Sequence, residues 1–166
     1  YLTGTDITVE YWFHKVILSQ GYWNPHTLDT YNYALSIVML SPIYSLLLNM
    51  DGVWIYKIIF PIIYSLVPVA LFVLYKQFFN NKLAFVTAFV FIIIPVFFLE
   101  MIAVARQQIS ELFFVLSIIL FLDNKLQVNK RIILITVFLI MTAVTYYGLG
   151  IVYMFYLFVG TCVLLI

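Results

Sequence analysis

Apolar and polar residues do not alternate along this chain; apolar residues come in long runs separated by short polar stretches. Five runs approach the ~20 residues an α-helix needs to cross ~30 Å of hydrocarbon: Val53–Tyr75, Leu83–Leu99, roughly Gln107–Leu122, Ile132–Tyr147, and Gly148 to the end. Runs such as Val86–Leu99 lack the dyad alternation of a transmembrane β-strand. Backbone inside lipid must pair internally, so these runs predict helices. The fold class predicted is all-α, a polytopic transmembrane helix bundle of about five spans over residues 53–166. Pro61, Pro68 and Pro95 fall inside the spans and predict kinks whose freed carbonyls are met by neighbouring groups.

The pattern before residue 53 is different. Residues 1–32 form the most polar stretch, and within it Asp6 to Gln20 reads as a short amphipathic helix. Asp6, Glu10 and His14 share one face at i, i+4 and i+8, next to a stripe of Val9, Phe13 and Val16. Gly21 ends the helix, and Trp23-Asn24-Pro25 reads as a turn. Residues 33–52 are apolar enough to span but are interrupted by Pro42. They also carry Ser41, Ser45 and Asn49 along one side.

Composition sharpens the membrane reading. Two thirds of the residues are apolar (66%) and 9% are charged, with a mean hydropathy of +1.13. A soluble domain of this size cannot hide that much apolar surface in one core. The formal net charge of +1 includes no basic stripe, which argues against a nucleic-acid partner. The single cysteine, Cys162, excludes an internal disulfide framework. The chain begins at Tyr1 and ends at Ile166 inside an apolar run. It therefore reads as a piece of a longer protein, with a helix before residue 1 and more after residue 166.

The basic residues assign sides. Lys76 and Lys82 bracket one connection and Lys125, Lys130 and Arg131 lie in another, two spans away, so both face the cytoplasm. Glu100, Arg106 and the Tyr146-Tyr147-Gly148 turn are then outside; Asp6 and Glu10 join them only if residues 33–50 do not cross completely, and lie with the lysine loops if they do. The charge asymmetry is cleanest if residues 1–32 are an extracytoplasmic first loop and residues 33–52 a broken, surface-lying or half-inserted helix. The location expected is the plasma membrane, multi-pass.

Three constellations carry candidate chemistry. Asp6, Glu10 and His14 on one face suit a divalent cation (Mg or Mn) or a carboxylate general base. The same spacing also suits the solvated face of an interfacial helix. Glu111 lies about a turn inside a span, where a carboxylate is costly and normally faces protein or a wet cavity. Arg106, five residues earlier, is either its ion-pair partner or a phosphate-binding cation. The Thr145–Gly148 turn, with Tyr146, belongs to a chain of 13 tyrosines. These read as aromatic belts at the membrane boundary or as surfaces for stacking sugar or lipid. No Walker loop, dinucleotide fingerprint, CxxC pair or HExxH motif is present.

The order of features resembles a known layout. Gly4-Thr5-Asp6-Ile7-Thr8-Val9-Glu10-Tyr11 opens a loop that runs through Gly21-Tyr22-Trp23-Asn24. A short helix with Ser41-Pro42-Ile43-Tyr44 follows, and then spans with lysine-bearing turns. This looks like the N-terminal part of the GT-C superfamily, integral-membrane glycosyltransferases that use polyprenyl-phosphate-linked sugars. The nearest likeness is to a largely archaeal multi-pass family of unassigned function. Protein mannosyltransferases and the lipid A aminoarabinose transferase share the layout more distantly.

The resemblance implies that Asp6 is a base or metal ligand and that Glu10 is a second acid. It also implies that Arg106 lies near the donor phosphate or the acceptor. His14, Glu111 and Tyr146 are further candidates for substrate binding. The implied partners are a polyprenyl-phosphate sugar donor, membrane lipids, and a glycan, lipid or protein acceptor. The adjacent Asp-Glu pair of the protein mannosyltransferases is absent, since Asp6 and Glu10 are four residues apart. Two rival readings stand beside this one. A transporter or flippase also uses proline-broken helices and an intramembrane carboxylate, and a structural membrane subunit needs no chemistry at all.

Overall fold

A computed structural model describes residues 2–123 and 125–164. Among these residues every regular element is helical. We number the helices α1 (Thr5–Gln20), α2 (Ser36–Leu48), α3 (Gly52–Tyr75), α4 (Asn81–Ile93), α5 (Val96–Ala103), α6 (Ala105–Leu122), α7 (Val128–Thr145) and α8 (Tyr147–Leu164).

Helices α3, α6 and α7 are long and apolar enough to cross a membrane; α4 and α5 together make a fourth candidate span, bent by 54°. At 1.5 Å per residue, α3 reaches about 36 Å and α6 and α7 about 27 Å each. Helix α2 is also apolar but reaches only about 20 Å. The expected last span corresponds to α8, and its final two residues lie outside the described ones.

The prolines account for the irregular backbone. Of the three π-helical turns among the described residues, Ser36–Leu40 and Ile55–Ile59 each end two residues before a proline, Pro42 and Pro61, and Val96–Glu100 begins directly after Pro95. A proline offers no N–H to the preceding turn and crowds the carbonyl four residues back, and a wider turn relieves both problems. At Pro95 the outcome is a break. Ile94 adopts an extended conformation (φ −61°, ψ 127°), as residues before proline prefer. The expected continuous span Leu83–Leu99 is therefore two helices meeting at an angle. A second boundary also shifts. Helix α7 starts at Val128 rather than Ile132, so Lys130 and Arg131 lie in its first turn rather than in the connection.

One core joins the front of the chain to the bundle. Ile7 and Phe13 of α1, Ile37 and Val38 of α2, Ile55, Tyr56 and Phe60 of α3, and Ala105 and Ile109 of α6 form a single buried cluster. The stretches 1–32, 33–52 and 53–166 thus share this core. A second cluster lies deeper, around Tyr64, Val67, Leu71, Leu74, Met101 and Val115. Large apolar side chains such as Phe85, Phe89, Ile132, Ile133, Ile151 and Phe155 point outward, as expected where lipid is the solvent.

Gly52 allows the closest approach in the front core. A Cβ there would run into His14 Nε2 and come within 2.9 Å of Tyr11 Cε2. The start of α3 can meet α1 at this point because residue 52 has no side chain. Asp51 caps that start, accepting a hydrogen bond from the Val53 N–H at 2.7 Å.

Candidate functional site

The site forms where α1 crosses the start of α6. Helix α1 begins after Gly4, whose φ of +130° lets the backbone turn against Ala103, just ahead of α6. The buried face of α1 comprises Ile7, Glu10, Phe13 and His14. Glu10 and His14 are both enclosed by protein, which corrects the solvated-face reading of this helix.

Glu10 meets α6 with both carboxylate oxygens. Arg106 Nη1 donates to Oε1 at 3.1 Å, and the Ala105 backbone N–H donates to Oε2 at 2.9 Å. The second bond uses one of the free N–H groups at a helix start, where an acidic group is also favoured by the helix dipole. One turn earlier, Asp6 Oδ1 accepts from Arg106 Nη2 at 3.2 Å. One guanidinium therefore bridges two carboxylates. The side chain of Asp6 is 39% exposed and that of Arg106 11%.

Two tyrosines flank the cation. The guanidinium carbon lies 4.1 Å from the Tyr31 ring centroid and 5.4 Å from that of Tyr146, within reach of cation–π attraction. Tyr31 Oη also donates to Asp6 Oδ1. The loop carrying Tyr31 is tied down locally. Asp29 Oδ1 accepts from the Tyr31 N–H at 2.8 Å, Asn32 Nδ2 donates to the Asn24 carbonyl at 2.8 Å, and Trp23 Nε1 donates to Asn32 Oδ1 at 3.0 Å. On the other side, Ser110 Oγ donates to the Thr142 carbonyl at 3.1 Å and ties α6 to the end of α7, just before Tyr146. Gly148 leaves room for that ring, since a Cβ there would lie 2.9 Å from it.

Burial pushes the Glu10 carboxyl up to about 7, against the opposing pull of Arg106 and the Ala105 N–H. Burial lowers the affinity of His14 for a proton, partly offset by the charge of Asp51. The hydrogen bond to Asp6 holds the proton on the Tyr31 phenol and raises its pKa.

Asp6, Glu10, Arg106 and Tyr146, drawn from all three sequence constellations, converge here. His14 and Glu111 do not join them. His14 lies one turn further along α1, where its Nδ1 is 3.0 Å from Ser41 Oγ and its ring stacks on Tyr11. Glu111 sits deeper in α6, beside Tyr64 and Gln107, with Oε2 buried and without a well-formed hydrogen bond. The ion pair considered between Arg106 and Glu111 is not the one formed, because Arg106 turns back to α1.

A divalent cation at these carboxylates would have to share them with Arg106. The guanidinium occupies the space between the two carboxylates, and both Glu10 oxygens are already engaged. Among the described residues no group of three or more His, Cys, Asp or Glu side chains is arranged to hold a metal ion.

Sequence reasoning missed Tyr31, Tyr56 and the Ala105 N–H. Tyr56 Oη donates to the Glu10 carbonyl at 3.1 Å from within the core. For Tyr31 a signal was present: it follows an Asp two residues earlier in a polar stretch, outside any apolar run where a belt tyrosine would sit. The chain matches no known protein family, no curated protein and no solved structure.

Proposed function

We propose that this chain belongs to a membrane glycosyltransferase of GT-C layout that moves a sugar from a polyprenyl-phosphate donor to an acceptor at the extracytoplasmic face of the plasma membrane. The observation that carries the reading is the state of Asp6. It is the open carboxylate of the cluster, held from one oxygen by Arg106 and Tyr31, at the end of the bundle opposite the lysine-bearing turns. A carboxylate fixed in this way at the membrane boundary suits a general base.

In the proposed transfer the acceptor hydroxyl gives its proton to Asp6 and its oxygen attacks the anomeric carbon. The bond from that carbon to the phosphate oxygen breaks, and polyprenyl phosphate leaves with the electron pair from the opposite face, inverting the centre. Glu10 is enclosed and cannot touch substrate, so its role is to position Arg106. Arg106 in turn orients Asp6. It reaches the donor phosphate by exchanging a carboxylate for a phosphate oxygen, which guanidinium geometry permits. Tyr146, over the guanidinium, offers a ring against which a sugar can stack.

The test uses purified protein in nanodiscs with a panel of polyprenyl-phosphate sugars, measuring donor binding and release of polyprenyl phosphate. Asp6→Asn is expected to bind donor as the wild type does and to lose transfer by on the order of a hundredfold or more. Equal turnover by the variant, or no donor bound by the folded wild type across the panel, would overturn the proposal.

A transporter or flippase is the second reading. It draws on the 54° break between α4 and α5 and on the carboxyl of Glu111, buried inside a candidate span beside Tyr64 and Gln107. Under that reading Glu111→Gln stops substrate movement across liposomes while Asp6→Asn does not.

A further inference from the structure

At the end of the bundle opposite Arg106, α3 and α6 finish side by side and leave a groove of about 540 Å³ between them. Its walls are apolar, from Phe72 and Val73 of α3 and Ile119 and Leu122 of α6, and its mouth carries Lys76, Gln77, Asp123 and Lys125. We infer that this groove is a binding site for an anionic phospholipid, with the phosphate at Lys76 and Lys125 and the acyl chains along Phe72, Val73, Ile119 and Leu122.

Charge is the first argument. Lysines at the ends of helices often serve only to satisfy the closing carbonyls and the helix dipole. Here several of those carbonyls are answered by backbone N–H groups. Phe72 O accepts from the Lys76 N–H, Leu74 O from the Gln77 N–H and Tyr75 O from the N–H groups of Phe78 and Phe79. At the end of α6, Arg131 Nη1 donates to the Asp123 carbonyl at 2.7 Å. Asp123, the acid at the mouth, is turned to its own loop, with Oδ1 accepting from the Lys125 N–H at 2.6 Å. Among the described residues neither ammonium group donates to a carbonyl or pairs with a carboxylate. Lys82, Lys130 and Arg131 lie at the same end of the bundle and add to the positive field. Lys76 is held at the mouth by its own helix, with Nζ 5.5 Å from the Phe72 ring centroid.

Shape is the second argument. A soluble phosphate would need only the mouth. The groove also has four apolar side chains in the last turns of two candidate spans, Phe72, Val73, Ile119 and Leu122, against which the upper part of an acyl chain can lie while its headgroup stays at the boundary. Basic pockets between transmembrane helices select anionic headgroups in this way, each nearby cation adding to the attraction. The inference is independent of the glycosyltransferase reading, since no residue of the groove belongs to the Arg106 cluster.

The test is lipid binding by native mass spectrometry of the detergent-solubilised protein, comparing phosphatidylglycerol with phosphatidylcholine of the same chains. The wild type is expected to hold phosphatidylglycerol at least tenfold more tightly. Lys76→Gln with Lys125→Gln is expected to remove that preference, a loss on the order of tenfold or more. Lys82→Gln with Lys130→Gln removes the same charge outside the groove and is expected to keep most of it. No preference in the wild type, an equal loss in the two double variants, or full displacement of the lipid by millimolar glycerol phosphate overturns the proposal. Photo-crosslinking of wild-type protein with an acyl-labelled phosphatidylglycerol gives a readout that needs no variant. Label is expected in the peptides around Phe72–Lys76 and Ile119–Lys125, and label confined elsewhere counts against the groove.

Discussion

Arg106 Nη1 lies 3.1 Å from Glu10 Oε1, joining residues 96 positions apart in the chain. Glu10 has no exposed surface, so its carboxylate depends on this guanidinium and on the backbone N–H groups of Ala105 and Arg106 for its charge compensation. Removing one member of such a pair costs more than the pair contributes, because a charge is left behind in protein. Arg106→Ala is therefore expected to destabilise the fold by about 3–5 kcal/mol. Adding Glu10→Gln should recover part of the loss. Thermal unfolding of the two single variants and the double variant measures the coupling, and strictly additive losses would refute a direct pair.

The same carboxyl makes stability depend on pH in an unusual direction. Its folded pKa is raised from 4.5 to about 7, so between those values the folded state holds a proton that the unfolded state has released. Its contribution is complete below the unfolded pKa and is lost as pH rises through about 7, at no more than ~1.4 kcal/mol per pH unit. His14 acts with the opposite sign. Its folded pKa lies below 6.5, so its contribution is present above the unfolded value and is lost as pH falls through the folded one. Unfolding measured from pH 4 to 8 should lose the fall in stability between about pH 4.5 and 7 in Glu10→Gln, and the opposing fall below pH 6.5 in His14→Gln. A pH profile unchanged by Glu10→Gln would show that this carboxyl does not titrate as described.

Tyr31→Phe separates the phenol from the ring. The variant keeps the face over Arg106 and loses the hydrogen bond to Asp6, at an expected cost of about 1 kcal/mol. Tyr31→Ala loses both and is expected to cost about 0.5–2 kcal/mol more. If donor transfer is detected, the pH dependence of its rate should move in Tyr31→Phe, because the group hydrogen-bonded to Asp6 has changed. Equal stability of the two variants would mean that the ring contributes nothing.

Gly52→Ala introduces a methyl group where His14 and Tyr11 already meet the backbone. An overpacked site of this kind is expected to lose about 1–3 kcal/mol. Pairing it with His14→Ala should return part of that loss, and chemical denaturation of the protein in detergent can compare the two. A neutral Gly52→Ala would mean that α1 and α3 can separate at no cost.

The helical class and most of the spans were legible because lipid leaves long apolar runs few alternatives. Pro95 was legible as a disturbance, but its outcome was not, because proline is tolerated with a wider turn at Pro61 and breaks the helix at Ile94. The start of α7 is not legible in the apolar pattern, because the helix begins at Val128 and the apolar run only after Lys130 and Arg131. Long basic side chains can instead sit in a first helical turn and extend to the boundary. At the site, the residue types and the shared face of Asp6 and Glu10 were visible in spacing alone. Their common partner was not, since no periodicity links residue 10 to residue 106. Tyr31 was hidden among 13 tyrosines whose composition suggested belts.

The bridge from Glu10 to Arg106 also sets an order of events during synthesis. At about 5–20 residues per second, a ribosome takes roughly 5–20 s to travel from one to the other. Throughout that interval the carboxylates of α1 have no cation to receive them and must stay hydrated while the spans behind them enter the membrane. The front helix can dock only once the N-terminal end of α6 has been delivered, and Tyr146 can cover the guanidinium only after α7 has crossed. A chain in which the start of α6 has been delivered but α7 has not yet crossed would hold an intermediate in which the two acids are paired but the second aromatic face is still missing.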